Sequence, residues 1–508
     1  MNARTGWVIT MAAFFAALAL PVSLGLTPDA SWLLTVAERV LNGEALYRDI
    51  LEYNPPFSIW LYTLPAVASH LSGLPSEAFL YVQFGVIFWL AFALTAAILI
   101  AGGVIRREHL WIAALGWVAL FVLLPLRTFL QREHLATMIL MPWLALQAVR
   151  WAQPHSFAPR RWMVVAGGIS CAVIAMTKPF YILTVVVPVV GLAVRQRSIR
   201  PLFHVENLIG AALAIAYGGA VLLVYPDYFG PLYETLKTTY LPVRTPEADV
   251  FFRLCAATIV AAMLLWRTPR RWPAETTILV LAAAGHIAGT VVMGKTYTYH
   301  ALPAMILLGF AGLWLLADAT RSGAIRPPGE RLSLLRGTAA ALLMGGAFTL
   351  TALVFIRGEA PDRDLLAYLR DRHAGASFIS VSPSFADSHP LVRLAGGSYL
   401  GPHGAMLAES YGAILIEQNP GMDDEQRVEI RGEQEKERRA YAMAILNRQP
   451  DVVLVSDCLT HGSWPAWPEI SGMSSDGVTV GEMYAEEARI GSILIFVRRK
   501  EPGQARAS

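Results

Sequence analysis

The stretch AFLYVQFGVIFWLAFALTAAILIAG, residues 78–102, decides the fold class, because it runs for 25 residues without a charged side chain. A helix needs about 20 apolar residues to cross the hydrocarbon core of a bilayer. Of the 508 residues in the chain, 55% are hydrophobic and only 16% are charged, and the mean hydropathy is +0.47. This composition excludes an ordinary soluble enzyme. The sequence therefore predicts an α-helical polytopic membrane protein.

Further apolar runs predict about eleven transmembrane helices, and a thirteen-span model is the alternative if short crossings are counted. The first run is interpreted as an uncleaved helix, because it is long for a signal peptide and more spans follow. Residues 56–72 are predicted to form a helix in the outer interface, broken near Pro65. The predicted spans are residues 7–26, 78–102, 109–125, 134–150, 162–178, 179–194, 207–225, 251–266, 277–293, 299–318 and 336–356.

Charge density divides the chain into two predicted domains. Residues 1–356 hold 41 of the 79 Asp, Glu, Lys and Arg residues, whereas the 152 residues from Arg357 onward hold the other 38. We therefore predict a transmembrane domain at 1–356, which includes a long outer loop at 27–77, and a soluble domain at 357–508.

The C-terminal domain is predicted to be mixed α/β. Apolar and β-branched residues favour strands at Ser377–Val381, Asp451–Val455 and Ile490–Val497. The charged stretch 423–446 favours a helix, and its EQEKERR run (433–439) is predicted to be a solvated helix face. No motif in this domain indicates a particular chemistry.

Lys and Arg residues collect in alternate connections between the predicted spans. Sixteen of the 25 bases before Arg357 lie in these connections, which marks them as cytoplasmic. The prediction is a multi-pass protein of the inner (plasma) membrane with a cytoplasmic N-terminus and a periplasmic or extracellular C-terminal domain. Nine bases remain on the outer face against this bias, which favours a functional role for them. They are Arg39, Arg48, Arg127, Arg132, Lys178, Lys237, Arg244, Arg253 and Lys295.

Several short motifs on the predicted outer face carry a family resemblance. In order they are Asp29, GEALY (43–47), PPFSIW (55–60), RTFLQREHLATMIL (127–140), MTKPFYIL (176–183) and YHALPAMILLGF (299–310). Together they resemble the GT-C superfamily of polytopic glycosyltransferases, particularly the protein O-mannosyltransferase and lipid A aminoarabinose transferase relatives. The resemblance covers most of residues 1–318. One departure leaves the acceptor class open: Ala30 follows Asp29, where many O-mannosyltransferases have an Asp-Glu pair.

The resemblance implies an inverting transferase that moves a sugar from a polyprenyl-phosphate donor to a lipid, glycan or protein hydroxyl. Such a reaction needs a base for the acceptor hydroxyl and cations for the departing phosphate. Asp29 is the candidate base, although a helix N-cap is the alternative interpretation. Lys178 is the candidate phosphate contact, with snorkelling to the interface as its alternative. The other substrate-binding candidates are Arg132, Glu133, His300, Tyr47, Asp49, Glu52, Tyr53, Arg48, Lys295 and Tyr299. A buried ion pair is the alternative for Arg132 and Glu133, an interfacial position is the alternative for His300, and metal binding is the alternative for Asp49 and Glu52.

Some alternatives stay open. An aromatic belt also explains Tyr47, Tyr53 and Trp60. A transporter or flippase of lipid-linked sugars would share the apolar bulk, but it usually has ionisable groups near mid-membrane, and the helices here are almost free of them. A receptor or scaffold that uses the acidic tail is the third hypothesis. One acid among many cations favours a mechanism without a metal or other cofactor, with a divalent metal as the alternative. Nucleic acid is not expected, because topology explains the excess of bases.

Overall fold

The computed structural model describes residues 2–244, 272–295, 297–321, 345–346, 348–356, 360–457, 466–475 and 477–499. The chain divides into two compact units. The first, which we call the helical unit, comprises the described residues of Met1–Gly25, Leu74–Ala220 and Arg244–Gly358. The second, the mixed unit, comprises those of Leu26–Gly73, Val221–Val243 and Glu359–Ser508. The C-terminal residues thus share a compact unit with the loop that follows the first helix.

Helices dominate the described part of the chain. In chain order they are α1 (Ala3–Leu24), α2 (Pro28–Leu41), α3 (Pro56–Ser72), α4 (Ser76–Ala101), α5 (Leu110–Val118), α6 (Arg132–Ala152), α7 (Arg161–Thr177), α8 (Leu183–Gln196), α9 (Val205–Val224), α10 (Pro231–Thr235), α11 (Ala274–Met293), α12 (Thr298–Arg321), α13 (Arg363–Arg372), α14 (Leu391–Leu394), α15 (Leu407–Gln418), α16 (Asp424–Arg448), α17 (Ala466–Gly472) and α18 (Val480–Met483). The strands are β1 (Ser377–Val381), β2 (Ser398–Tyr399), β3 (Val452–Ser456), β4 (Ser474–Ser475), β5 (Val478–Thr479), β6 (Tyr484–Ile490) and β7 (Ile493–Arg498).

The polytopic membrane fold is confirmed. Within the described residues, seven helices are long and apolar enough to cross a membrane, and α7 is a shorter apolar helix. The seven are α1, α4, α6, α9, α11, α12 up to Ala317, and α8 with the 3₁₀ turn that precedes it from Pro179. The predicted span 251–266 lies outside the described residues, and of 336–356 only 345–346 and 348–356 are described, as helix.

Two predicted segments differ in detail from the structure. The span at 109–125 is α5 continued by a π-helical turn at Ala119–Leu123. The predicted break near Pro65 is wrong, because α3 continues through that residue. Pro65 and Tyr62 are both buried, so packing compensates for the one backbone hydrogen bond that a proline removes.

The C-terminal residues form a mixed sheet with helices around it, as predicted. The five-stranded sheet has the order β2-β1-β3-β7-β6, in which β1 pairs in parallel with β2 and β3, and β7 is antiparallel to β3 and β6. The predicted strands correspond to β1, β3 and β7. The short β2 and the charged edge strand β6 were not predicted, because neither has the apolar alternation of a half-buried strand. Buried apolar residues of β1, β3, α16 and α17 form the core beside this sheet.

The prediction of a solvated EQEKERR face is wrong for three of its residues. Glu433, Gln434 and Glu437 are only 5, 6 and 7% exposed. Glu437 accepts hydrogen bonds from the backbone N–H groups of Ala408 and Glu409 at the start of α15. The first four N–H groups of a helix have no partner within it, and the oxygen atoms of a carboxyl group can accept from them. This contact cannot be predicted from composition, because the contact depends on the position of the neighbouring helix α15.

Candidate active site

Three helix junctions of the helical unit supply one group of candidate residues. Arg132 and Glu133 begin α6, and Lys178 follows the last residue of α7. Lys178 has an extended backbone (φ −150°, ψ 129°), as expected for a residue before proline. Lys295 lies in the connection between α11 and α12, which turns at Gly294 with φ +69°, and His300 lies in the first turn of α12. We name Arg132, Glu133, Lys178, Lys295, Tyr299 and His300 the Lys178 cluster.

Glu133 is the centre of the Lys178 cluster. Its Oε1 lies 2.8 Å from Lys178 Nζ, 3.3 Å from Arg132 Nε and 4.0 Å from His300 Nε2. All four side chains are buried. These contacts bring the start of α6, the end of α7 and the start of α12 together at one end of the helical unit. Which side of the membrane this end faces stays a prediction.

His300 also contacts the ammonium group of Lys178. Lys178 Nζ lies 2.7 Å from His300 Nε2, and His300 Nδ1 lies 2.7 Å from the carbonyl oxygen of Lys295. A lysine ammonium only donates, so His300 Nε2 is the acceptor and its Nδ1–H donates to the Lys295 carbonyl. The hydrogen-bond network therefore assigns the neutral Nδ1–H tautomer to His300.

Two further candidates complete the cluster. The Tyr299 ring lies 5.3 Å from Lys178 Nζ, within the range of a cation–π interaction. Lys295 lies outside the spanning helices and is buried, and this burial together with the charge of Arg244 lowers the pKa of its ammonium group to about 7. Lys295 is therefore a cation whose charge changes near neutral pH.

Sequence reasoning missed His286, which supports the cluster from α11. Its Nε2 lies 3.0 Å from the carbonyl oxygen of His300, and its Nδ1 lies 3.2 Å from Thr184 Oγ1. The ring also packs on Tyr181 with centroids 4.4 Å apart. A histidine inside the apolar run 277–293 was the available signal, since ionisable residues in a span usually have a role.

Lys295 has a pKa of about 7, and without its charge the formal charges of the cluster sum to one net positive charge. Arg132 and Lys178 contribute two positive charges, Glu133 contributes one negative charge, and His300 is neutral in the assigned tautomer. A buried site with this balance suits a monoanion such as a phosphodiester, for which charge-assisted hydrogen bonds are strong.

The mixed unit carries the other candidates. Asp29 lies in the first turn of α2, where the helix dipole favours a carboxylate. The alternative that Asp29 is the N-cap is wrong, because the Thr27 side chain caps α2 by accepting from the N–H of Ala30 at 3.1 Å. Asp29 is not needed for that capping bond.

Glu52, Tyr47 and Tyr53 are parts of a folded connection between α2 and α3. Glu52 is fully buried and accepts hydrogen bonds from Trp32 Nε1 and from the backbone N–H of Asn54, the latter at 2.7 Å. Tyr47 adopts φ +72°, which is rare for a bulky residue, and its hydroxyl donates to the Asn54 carbonyl at 2.7 Å. Tyr53 is buried against His403, with ring centroids 4.9 Å apart.

Arg48 and Asp49 lie in a turn at the surface of the same connection. The Arg48 side chain is 71% exposed and its Nε lies 4.0 Å from Asp49 Oδ1. Asp49 Oδ2 accepts from the backbone N–H of Ala45 at 2.8 Å. The structure does not bring these two residues together with the buried candidates Glu52 and Tyr53 as one polar cluster.

Cofactor predictions are not tested by the structure. In the described ranges no group of three or more His, Cys, Asp or Glu side chains is arranged to hold a metal ion. Cys171 is a buried free thiol, and Cys255 and Cys458 lie outside the described residues. The metal-independent mechanism stays a prediction.

Comparisons with known proteins identify the fold class. Neither models of protein families nor curated proteins match the sequence. Among solved structures, the chain has a GT-C fold similar to that of ArnT from Cupriavidus metallidurans bound to undecaprenyl phosphate, with a TM-score of 0.53, 14% sequence identity and 97% of each chain covered. The apo state of ArnT from the same organism gives a TM-score of 0.50 and 14% identity over 97% of this chain and 98% of that one. The GT-C resemblance predicted from the motifs is therefore confirmed at the level of the fold.

Proposed function

We propose that the protein is an inverting glycosyltransferase that moves a sugar from a polyprenyl-phosphate donor to a lipid, glycan or protein hydroxyl at the outer face of the membrane. The observation that carries the proposal is the buried Lys178 cluster within a GT-C fold. The similar ArnT structure contains undecaprenyl phosphate, a lipid of the class that the proposed donor would release.

In the proposed reaction, Asp29 accepts the proton of the acceptor hydroxyl. The acceptor oxygen then attacks the anomeric carbon and forms the new glycosidic bond, while the bond between that carbon and the phosphate oxygen breaks. The electron pair leaves with the polyprenyl phosphate. A single displacement inverts the anomeric configuration, and the phosphate leaves without needing a proton from the enzyme.

Lys178 and Arg132 stabilise the departing phosphate in this proposal. The donor phosphodiester carries one negative charge, and a second develops on the phosphate as the sugar leaves. Cations help catalysis only if they bind the transition state more strongly than the ground state, and the growing charge meets this condition. Glu133 holds both cations in place and prevents an excess of buried positive charge.

The proposal is tested by reconstituting the purified protein in liposomes with polyprenyl-phosphate sugars and candidate acceptors. Wild-type protein is expected to form a glycosylated product and to release polyprenyl phosphate. Asp29→Asn is expected to abolish product formation while expression and polyprenyl-phosphate binding persist, and Asp371→Asn, a change at an exposed side chain, is the matched control.

Other outcomes contradict the proposal in distinct ways. Movement of intact donor between leaflets without a glycosylated product supports the flippase alternative. Product formation by Asp29→Asn at the wild-type rate removes Asp29 as the base but leaves the transferase activity in place.

A further inference from the structure

Trp32 of α2 inserts among residues from the C-terminal part of the mixed unit. It is only 1% exposed, although it belongs to a helix next to a predicted transmembrane span. Four rings surround it, and we name them the Trp32 socket. Their centroid distances to the Trp32 ring are 5.3 Å for His389, 5.4 Å for His403, 5.8 Å for Tyr399 and 6.4 Å for Phe385.

The socket is built by segments of the sheet domain. Phe385 and His389 follow β1, Tyr399 belongs to β2, and His403 follows β2. The hydroxyl of Tyr399 donates to the His403 carbonyl oxygen at 2.7 Å, which ties the Tyr399 ring to the backbone of His403. Burial lowers the pKa of both histidines, so both imidazoles are neutral at neutral pH and pack on the indole as apolar rings.

Polar contacts with the same C-terminal part of the mixed unit fix the rotation of α2 about its axis. Arg393 Nη2 donates to Glu38 Oε1 at 3.0 Å, and Arg393 Nη1 donates to Thr35 Oγ1 at 3.2 Å. Arg39 Nη1 donates to the carbonyl oxygen of Gly401 at 2.5 Å. Trp32, Thr35 and Arg39 are spaced three and four residues apart, so they line one face of the helix.

The connection that follows α2 is held by the same domain. Glu44 Oε2 lies 2.7 Å from Arg448 Nη1, and its carboxylate also pairs with Arg39 at 2.6 Å. The N–H of Leu51 donates to the carbonyl oxygen of Pro402 at 2.7 Å. Helix α2 is therefore anchored along its length and at its C-terminal exit.

Asp29 lies one turn before Trp32 on this anchored helix. Three residues of α-helix correspond to a rise of about 4.5 Å, so the position of the Trp32 ring constrains the backbone that carries Asp29. A general base must lie within hydrogen-bonding reach of its proton, and a displacement of about 1 Å can reduce a rate by about 100-fold.

We propose that the C-terminal domain is a positioning device for the transferase: the Trp32 socket and Arg393 set the place of Asp29 through α2. This inference rests on the proposed function. In it, Trp32 and Arg393 are positioning residues, and the domain contributes to kcat without contacting the donor phosphate.

The test is a steady-state comparison of Arg393→Met and Arg393→Lys in the full-length protein in liposomes. Arg393→Met loses the contacts to Glu38 and Thr35, so we expect kcat to fall by between about tenfold and 100-fold with little change in the donor KM. Arg393→Lys keeps a charge that can reach Glu38, so it should recover part of the rate. Arg439→Met, which breaks the exposed pair with Glu435 in the same domain, is the matched control.

Each result has a defined meaning. An unchanged kcat in Arg393→Met, or a loss that appears only as a higher donor KM, overturns the positioning role. A fall in kcat together with an equal fall in folded, polyprenyl-phosphate-binding protein shows a purely structural role and also overturns it. Trp32→Phe provides a second variant, expected to reduce kcat less than Trp32→Ala. An inactive wild-type protein would instead contradict the proposed function itself.

Discussion

At the scale of single residues, the Lys178 cluster contains charged side chains that are buried away from water. Glu133 and Lys178 are a buried ion pair 2.8 Å apart. The cost of burying either charge alone is several kcal/mol, so each of the two residues depends on the other for its ionised state.

Single and double variants of the Lys178–Glu133 pair distinguish an effect on stability from an effect on activity. Lys178→Met leaves Glu133 with fewer compensating charges, and loss of one member of a buried pair costs about 3–5 kcal/mol. We expect a lower unfolding temperature in detergent and no sugar transfer. In the double variant Lys178→Met/Glu133→Gln much of the stability should return, whereas transfer should not. Transfer at the wild-type rate by the double variant would exclude Lys178 as the phosphate contact.

Glu437 predicts a pH dependence of stability. Its burial raises the pKa of the carboxyl group from 4.5 to about 8, despite backbone hydrogen bonds from Glu409, Ala408 and Leu407 that favour the charged form. The folded state therefore holds this proton more tightly than the unfolded state. The resulting stabilisation is complete below pH 4.5 and is lost as the pH rises through about 8.

We expect Glu437→Gln to unfold at a higher temperature than wild type at pH 9 and at a similar temperature at pH 5. Differential scanning fluorimetry of the purified protein over this pH range measures the effect. Glu435→Gln, at a half-exposed side chain, is the control and should follow wild type. A constant difference between Glu437→Gln and wild type at both pH values would contradict the assignment.

At the scale of elements, α11 packs closely against α8. Helix α11 carries His286, which supports the Lys178 cluster. Gly285 and Gly289 of α11 are four residues apart and face the start of α8 and the turn before it. A Cβ atom at Gly285 would lie 2.0 Å from the carbonyl oxygen of Leu183, and one at Gly289 would lie 2.4 Å from that of Phe180. Small residues with this spacing are typical of helices whose backbones approach closely in membranes.

Gly285→Ala should therefore separate α11 from α8 and displace His286. We expect a destabilisation of about 1–3 kcal/mol, the usual cost of overpacking, measured as a lower unfolding temperature, together with reduced transfer. The matched control is Gly218→Ala in α9, where no described residue outside the adjacent backbone of α9 places an atom within 4 Å of the added Cβ. Unchanged stability in Gly285→Ala would show that the backbones can separate without cost.

At the scale of the whole molecule, the sequence predicts which side of the membrane each end of the helical unit faces. The distribution of bases predicts that the connection around His155 is cytoplasmic and that the C-terminal domain is on the outside. Both His155 and Glu435 are exposed, so each is a suitable labelling site.

The orientation is measured with a membrane-impermeant maleimide on sealed right-side-out vesicles. In a background without Cys171, Cys255 and Cys458, Glu435→Cys should be labelled directly and His155→Cys only after the vesicles are opened. The reverse pattern would invert the topology and contradict the assignment of sugar transfer to the outer face.

The sequence predicted some parts of the protein well for a physical reason. The apolar runs that became α4, α6 and α11 were found within a few residues, because a bilayer requires long uncharged helices whatever their neighbours are. The topology derived from the bases predicted that Arg132, Lys178 and His300 lie on the same outer face. It did not reveal that Glu133 pairs with Lys178, or that His300, 122 residues further along the chain, accepts from Lys178.

By itself, then, the sequence determined that this is a polytopic membrane protein with a mixed α/β C-terminal domain, and its ordered motifs indicated the GT-C fold. Hydropathy and the order of the motifs are read along the chain, so they are the same however the chain packs. Only the tertiary structure decided that Glu437 is buried, that Glu52 receives the Trp32 indole hydrogen bond, and that α2 is anchored by Arg393. These contacts join residues distant in sequence, so their energies exist only when the chain has folded.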